Sequence, residues 1–449
     1  MGRRQGWGWL GSLALLSLAL APPARAGSPS CETTAERFQL PNGLEVVLVP
    51  DASLPAIAMV SSVHVGSRND PPDHAGLAHY LEHLTYRQAP PFASVFDLYD
   101  EIGATEVNAT TGPDTTDYVA MLPAAQLERG LWIEARRLGL GLAALSEPAA
   151  LEERRVVLRE QELRYGYQPI LSLATLTYAT LFPGAHPYHA PFASVSSLEQ
   201  LSSADARWFF AEYYRPERTR LVLVGDLQPS QARALVERHF GALVAPAMAA
   251  KDPTSECSWA KKQLSPTHSR LRLRSRYRNE SIDFYFPVGP EEDPQLLAPV
   301  FDNLRSEIAE VARQTGLAHE VYGELVSREL GSYWMISIGV APGQPFEKVE
   351  PLVSKIEQNL RASFADKSDL VARGQALELS ERLAQPRLMA RALNLARREC
   401  VPSVCVDASK LLTPSLSNQV DRFALSKALI VERRYSVGAS EDGSLESLP

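Results

Sequence analysis

The run His79-Tyr80-Leu81-Glu82-His83 constrains this chain most, because it sets two imidazoles and a carboxylate on one side of a helix. Residues at i and i+4 stack along a helix and i+3 adjoins both, so His79 and His83 can chelate one ion while Glu82 stands beside it as a general base. The glutamate precedes the second histidine, the inverted form of the commoner zinc-protease helix signature. The same spacing also suits a solvated helix face with an internal hydrogen bond. A third donor separates the two readings, since a catalytic zinc keeps three protein ligands and leaves a fourth position for water. Residues 151–165 (LEERRVVLREQELRY) supply a candidate: they are rich in helix formers, and Glu153, Val157 and Glu160 recur along one stripe. Glu160 can complete the site.

Taken in order, further segments resemble the pitrilysin, insulysin and mitochondrial processing peptidase family, the inverted zinc peptidases. Residues 76–87 (GLAHYLEHLTYR) resemble the family's zinc helix, and Glu160 falls at the expected distance beyond His83. Glu153 matches an acidic position that supports the site without being the main ligand, which implies that it orients a histidine. Residues 103–123 (GATEVNATTGPDTTDYVAMLP) resemble the strand pair bearing the family's Asn-Ala element, here Asn108 and Ala109. His186-Pro187-Tyr188, Tyr213-Tyr214-Arg215-Pro216 and residues 221–226 (LVLVGD) follow in family order.

The resemblance implies one Zn2+ per chain, held by His79, His83 and Glu160, and hydrolysis of peptides or unfolded polypeptide segments in an enclosed chamber between two halves. It implies an α+β fold of two homologous domains, each a mainly antiparallel sheet with helices packed on one face. Periodicity agrees: strands are expected over 44–49, 58–65, 221–224, 281–288 and 333–340, and helices over 125–139, 149–165, 203–214, 229–240, 294–313 and 349–364. The expected division is a signal peptide at 1–26, a zinc peptidase domain at 33–248, a proline-bearing linker at 249–266, a C-terminal homologous domain without a zinc motif at 267–438, and a flexible tail at 439–449.

One departure bears on mechanism. Active relatives present an Arg and a Tyr within an LRxxxGLAY-like segment that holds the substrate and its oxyanion. Here residues 311–319 read VARQTGLAH, so His319 stands at the tyrosine position and Ala312 at the arginine position, with Arg313 one step along. A missing oxyanion donor costs roughly 10²- to 10³-fold in rate. The expectation is therefore a zinc-bearing subunit whose homologous partner supplies that pair in a heterodimer, with an intact homodimer as the second arrangement. The rival class is a noncatalytic zinc-binding member acting as an assembly or peptide-binding subunit.

The remaining features set context. A net charge of −8 over 449 residues argues against nucleic acid as a partner. Arg3 and Arg4, the apolar run 9–20 and Ala24-Arg25-Ala26 read as a secretory signal, giving a periplasmic or secreted protein; an uncleaved anchor is the alternative. No later stretch reaches the roughly 20 apolar residues of a membrane span. Cys400 with Cys405 and Cys31 with Cys257 is the first pairing expected of three possible. His186 and His189 flank Pro187, which disfavours a helix and favours loop packing. His64, His74, His239 and His268 show no partner pattern.

Overall fold

The computed structural model describes most of residues 35–244 and 270–354, together with 388–396, 428–435 and 444–447. Two six-stranded sheets organise it. The first comprises β1 (Glu36–Gln39), β2 (Glu45–Pro50), β3 (Ala56–Val63), β4 (Thr105–Thr111), β5 (Thr116–Pro123) and β6 (Thr219–Gly225), in the order β1-β2-β6-β3-β5-β4. The second comprises β7 (Arg270–Ser275), β8 (Ser281–Pro287), β9 (Ala318–Val326), β10 (Tyr333–Val340), β11 (Leu429–Tyr435) and β12 (Ser444–Ser447), in the order β12-β7-β11-β8-β10-β9. Each sheet has one parallel pair, β2 with β6 and β7 with β11, and its other neighbours run antiparallel. Strands β2 to β6 and β7 to β11 thus follow one wiring.

The helices are α1 (Leu77–Arg87), α2 (Val95–Glu101), α3 (Leu127–Leu140), α4 (Glu147–Tyr165), α5 (Ile170–Leu181), α6 (Val195–Gln200), α7 (Ser203–Tyr213), α8 (Pro229–Phe240), α9 (Ala298–Thr315) and α10 (Leu388–Ala396). Central strands of the first sheet are apolar at nearly every position, which is what burial on both faces requires. Val46, Leu48, Ile57, Met59, Leu221 and Leu223 enter the core beneath α1, α3, α7 and α8, while the alternate residues Val47, Val49, Ala58, Val60, Val222 and Val224 meet Leu388, Met389, Ala392 and Ala396 of α10. The second sheet repeats the scheme. Ile282, Phe284, Phe286, Ile336 and Ile338 pack with Phe301, Leu304 and Ile308 of α9, and on the other face Leu271, Tyr285, Tyr333, Leu429 and Val431 pack with Tyr178 and Leu181 of α5 and with Phe182 and Tyr188 beyond it.

Helix α5 lies between β5 and β6, and α10 between β10 and β11, so each half lends a helix to the other's sheet. Polar contacts tie the exchange: Arg391 of α10 pairs with Asp51, Arg220 donates to the Leu395 carbonyl at 3.3 Å, and Tyr333 Oη donates to Tyr178 Oη at 3.3 Å. A buried seam joins the halves nearby, with Arg68 paired to Asp114 and, at 3.1 Å, to Glu329, and the Leu330 N–H donating to Tyr188 Oη at 3.0 Å.

The helix expected over 229–240 and the strand over 333–340 have those bounds, and the other expected ends that fall within the described residues shift by no more than two. The tail at 439–449 corrects the sequence reading. Ser444–Ser447 forms β12, antiparallel to β7, taking the unpaired edge of that strand as β1 takes the edge of β2. An open edge offers a row of unmet N–H and C=O groups, and a short polar segment suffices to fill it. Strand β7 (RLRLRS) was signalled by its alternation and not recognised. The signal segment, the linker 249–266, Cys31, Cys257, Cys400, Cys405, His268 and most of 349–364 lie outside the described residues. Among the described residues no helix is long and apolar enough to cross a membrane.

Candidate metal centre

Helix α1 is set by burial of Leu77, Ala78, Tyr80, Leu81 and Leu84 and by a carboxylate at its start. Asp70 Oδ2 accepts the Gly76 N–H at 2.6 Å and Oδ1 accepts the Ala78 N–H at 2.8 Å, meeting donors the first turn leaves without intrahelical partners. Gly76 has φ +96 and sits against Leu198 and Ala193, where a Cβ would clash. From this start, His79, Glu82 and His83 emerge together and form the one cluster of metal-compatible side chains among the described residues, their ligand atoms lying within 4.8 Å of one another. The two imidazoles meet edge to face, with centroids 4.9 Å apart.

Helix α4 brings the distant carboxylates. Tyr80 Oη donates to the Ala150 carbonyl at 2.7 Å, fixing α4 along α1, and Val157 is 1% exposed in the shared core. The stripe through Val157 therefore turns Glu153 and Glu160 toward α1. Glu160 Oε2 lies 3.5 Å from His79 Nε2 and 3.3 Å from His83 Nε2. Two donors bound about 2.05 Å from one tetrahedral ion sit about 3.3 Å apart, so Glu160 Oε2 stands from each imidazole nitrogen at the spacing of ligands that share a zinc.

Glu153 does a different job. Its Oε2 is 3.3 Å from His83 Nδ1, and its other oxygen pairs with Arg87. An ionised carboxylate only accepts, so Nδ1 donates to Glu153, which leaves Nε2, the atom facing Glu160, as the nitrogen that could take an ion. Burial raises the Glu153 pKa, but the hydrogen bonds to His83 and Arg87 outweigh it and hold the carboxyl below its ordinary value. Burial likewise lowers the His83 pKa, and the hydrogen bond to Glu153 with the charges of Glu82, Glu153 and Glu160 overcomes it, leaving the imidazole above its ordinary value.

Glu82 is only 8% exposed, and its Oε2 accepts a hydrogen bond from Thr111 Oγ1 at 2.6 Å. Behind α1, Thr85 Oγ1 contacts both the Glu82 carbonyl at 2.9 Å and Tyr118 Oη at 3.1 Å; Tyr118 is bonded to Tyr214 at 2.9 Å and covered by the Arg137 guanidinium 3.3 Å from its ring centre. Burial pushes the Tyr118 hydroxyl up to about 12, so it stays a neutral partner.

Asn108 and Ala109 lie on β4, the outer strand of its sheet, beside α1. Asn108 is exposed and its carbonyl accepts from Tyr86 Oη at 2.8 Å; Ala109 and Thr111 share the half-buried face. His319 is on β9, with Nδ1 3.2 Å from the Val340 carbonyl and its ring against Gly339, contacts internal to the second sheet. Ala312 is 1% exposed in the α9 core, whereas Arg313 is exposed and bonded to Glu310 at 2.6 Å. Gly316, at φ +64, ends the helix and fixes that register. His186 serves loop packing, accepting the Tyr188 N–H at 3.1 Å. Thr111, Tyr86 and Arg87 were missed from sequence; only Arg87 carries a signal, standing four residues beyond His83 on the same stripe.

Residues 46–135 match a family model described as insulinase, peptidase family M16, and residues 200–373 match one described as the peptidase M16 inactive domain. The chain is 30% identical over 237 residues to "Zinc protease PqqE" of Helicobacter pylori, an alignment spanning 52% of this chain and 52% of that protein. In structure it is similar to a protease from Helicobacter pylori, with a TM-score of 0.72 and 21% identity over 89% of this chain and 99% of the other. It is similar also to the periplasmic protease PqqL from Escherichia coli, with a TM-score of 0.66 and 16% identity over 90% of this chain and 48% of that one. The chain thus spans about half the length of PqqE and PqqL that it matches.

Proposed function

The chain belongs to the M16 peptidases, and on that premise we propose that it is a zinc-dependent endopeptidase acting on peptides or unfolded polypeptide segments. The observation that carries the reading is the placement of Glu160 Oε2 at 3.5 and 3.3 Å from the two Nε2 atoms of α1, the edge lengths of one coordination tetrahedron. His79, His83 and Glu160 would hold the ion, with Glu153 orienting His83. Zinc bound there supplies Lewis-acid activation of water and of the scissile carbonyl. Glu82 takes the proton from the attacking water and returns it to the leaving amine. Asn108 and Ala109 offer the outer edge of β4 to an extended substrate, which adds as a further strand.

The second half lacks the substrate-holding pair in its usual form. Ala312 is buried, Arg313 is committed to Glu310, and His319 is bonded within its own sheet. These contacts favour a homologous partner that supplies the Arg and Tyr, with residues 33–248 as the zinc-bearing domain, 249–266 as the linker and 267–438 as its homologue. The sequence features of residues 1–26 and the periplasmic PqqL similarity support export.

Glu82→Gln should abolish cleavage of an unfolded peptide and retain zinc, whereas His79→Ala should lose both. An active Gln variant would overturn the role of Glu82, and zinc-binding chain that cleaves nothing with or without a homologous partner would favour an assembly or peptide-binding role.

A further inference from the structure

Four side chains at this centre can ligate, and a catalytic site needs only three of them. With His79, His83 and Glu160 as ligands, Glu82 is a fourth donor whose ligand atom lies within 4.8 Å of those of the two imidazoles. Coordination would need separations of about 3.3 Å, so the carboxylate would have to close on the imidazoles, a movement of the kind a glutamate side chain makes by changing rotamer. Were Glu82 to make it, the ion would have four protein ligands, the closed shell of a structural zinc, and no position for water.

We propose that Thr111 is a positioning residue that tethers the Glu82 carboxylate away from the ion and so keeps the fourth position open; this rests on the zinc reading above. Thr111 Oγ1 donates to Glu82 Oε2 at 2.6 Å, a short charge-assisted bond. The donor is itself held. Thr111 is the last residue of β4, paired with Thr116 across the ladder, and the turn that follows is closed by Gly112 N–H to the Thr115 carbonyl at 2.8 Å. That turn is pinned by Ser67 N–H to the Gly112 carbonyl at 3.0 Å and Arg68 N–H to the Pro113 carbonyl at 3.1 Å. A β-branched side chain on so fixed a backbone has little freedom at χ1, so its hydroxyl points where the strand sets it. The tether also joins the base to the strand proposed to receive substrate.

The test uses full-length mature chain loaded with Co2+ in place of zinc, read by its visible spectrum during titration with azide, an anion that takes an open coordination position. Wild type should bind azide. Thr111→Val should bind it at least about tenfold more weakly and lose about 10²-fold in kcat with little change in KM, as expected for a misplaced catalytic group. Thr111→Ser should restore both. The double variant Thr111→Val, Glu82→Gln should recover azide binding without activity, because the intruding carboxylate is gone. Wild-type chain that takes up no Co2+ or Zn2+ would sink the zinc reading and the tether with it. Metal-loaded wild type and Thr111→Val with equal azide affinity would sink the tether alone, and if Thr111→Val fails to fold, a Thr111→Ala variant with wild-type azide affinity would do the same.

Discussion

The connection from β3 to β4 and the connection from β8 to β9 hold matching places in two sheets of one wiring, and they carry different cargo. The first carries α1, with His79, Glu82 and His83 on the side toward α4; the second carries α9, which spends Phe301, Leu304, Ile308 and Ala312 on the core and has no histidine. Alternating apolar strands and an amphipathic helix suffice to specify the shared frame. The chemistry depends on a handful of polar residues that the frame tolerates on one connection and on the helix α4 beside it, because Glu82 and Glu153 are buried only with the partners that satisfy them.

The strongest way to break the comparison is to remove the distant carboxylate that faces the first connection and to disturb the second. Glu160→Ala should reduce zinc, measured by atomic emission on purified protein, to background, while Glu310→Ala on α9 should leave it at one ion per chain; equal losses would show that the metal does not distinguish the halves. Next come the exchanged segments, α5 with the Phe182 that follows it and α10. Phe182 is 0% exposed against the second sheet and Leu388 is 2% exposed against the first. Phe182→Ala should cost ~3–5 kcal/mol and Leu388→Ala ~2–5 kcal/mol. Because each substitution strips cover from the other half's sheet, both should lower one shared calorimetric transition, and two independently moving transitions would contradict the exchange.

Glu153→Ala should weaken zinc affinity by about 10- to 100-fold without abolishing it, as orienting partners of ligating histidines do. Isothermal titration reads this directly, and a complete loss would make Glu153 a ligand. Metal-free protein sharpens the same contact through pH. The His83 pKa is raised on folding, so its stabilisation is fully present below the ordinary imidazole value and is lost as pH climbs through the raised one; Glu153, lowered, contributes above the ordinary carboxylate value and fades as pH falls through the lowered one. The Tm advantage of metal-free wild type over His83→Gln should therefore shrink between neutral and alkaline pH, and an advantage that grows would reverse the assignment. Smallest of all is Arg313→Ala: an exposed residue bonded to Glu310, it should change neither Tm nor kcat measurably, and a rate loss near 10²-fold would make it the oxyanion donor that Ala312 is not.

What the sequence made legible follows from the range of each interaction. Helix α1 and the Glu153–Val157–Glu160 stripe were readable because i, i+3 and i+4 neighbours meet on any helix, and β10 because Trp334, Ile336, Ile338 and Val340 recur at every second position of an apolar run. Thr111 was not, since its hydroxyl reaches Glu82 only once β4 lies beside α1, a contact spanning 29 residues. Nor did the apolar stripe of α10 name its partner: periodicity tells which side of a helix is greasy, not which sheet awaits it. Strand β12 escaped for the opposite reason, being a polar segment recruited by a vacant backbone edge.

The traded helices have a consequence for anyone dividing this molecule. Cutting between residues 244 and 270 would not liberate two freestanding modules, because each fragment would carry a bare greasy sheet surface and a stray arm moulded for its absent sibling. Such fragments made separately should clump, and made together in one cell they should find each other and rebuild the uncut shape.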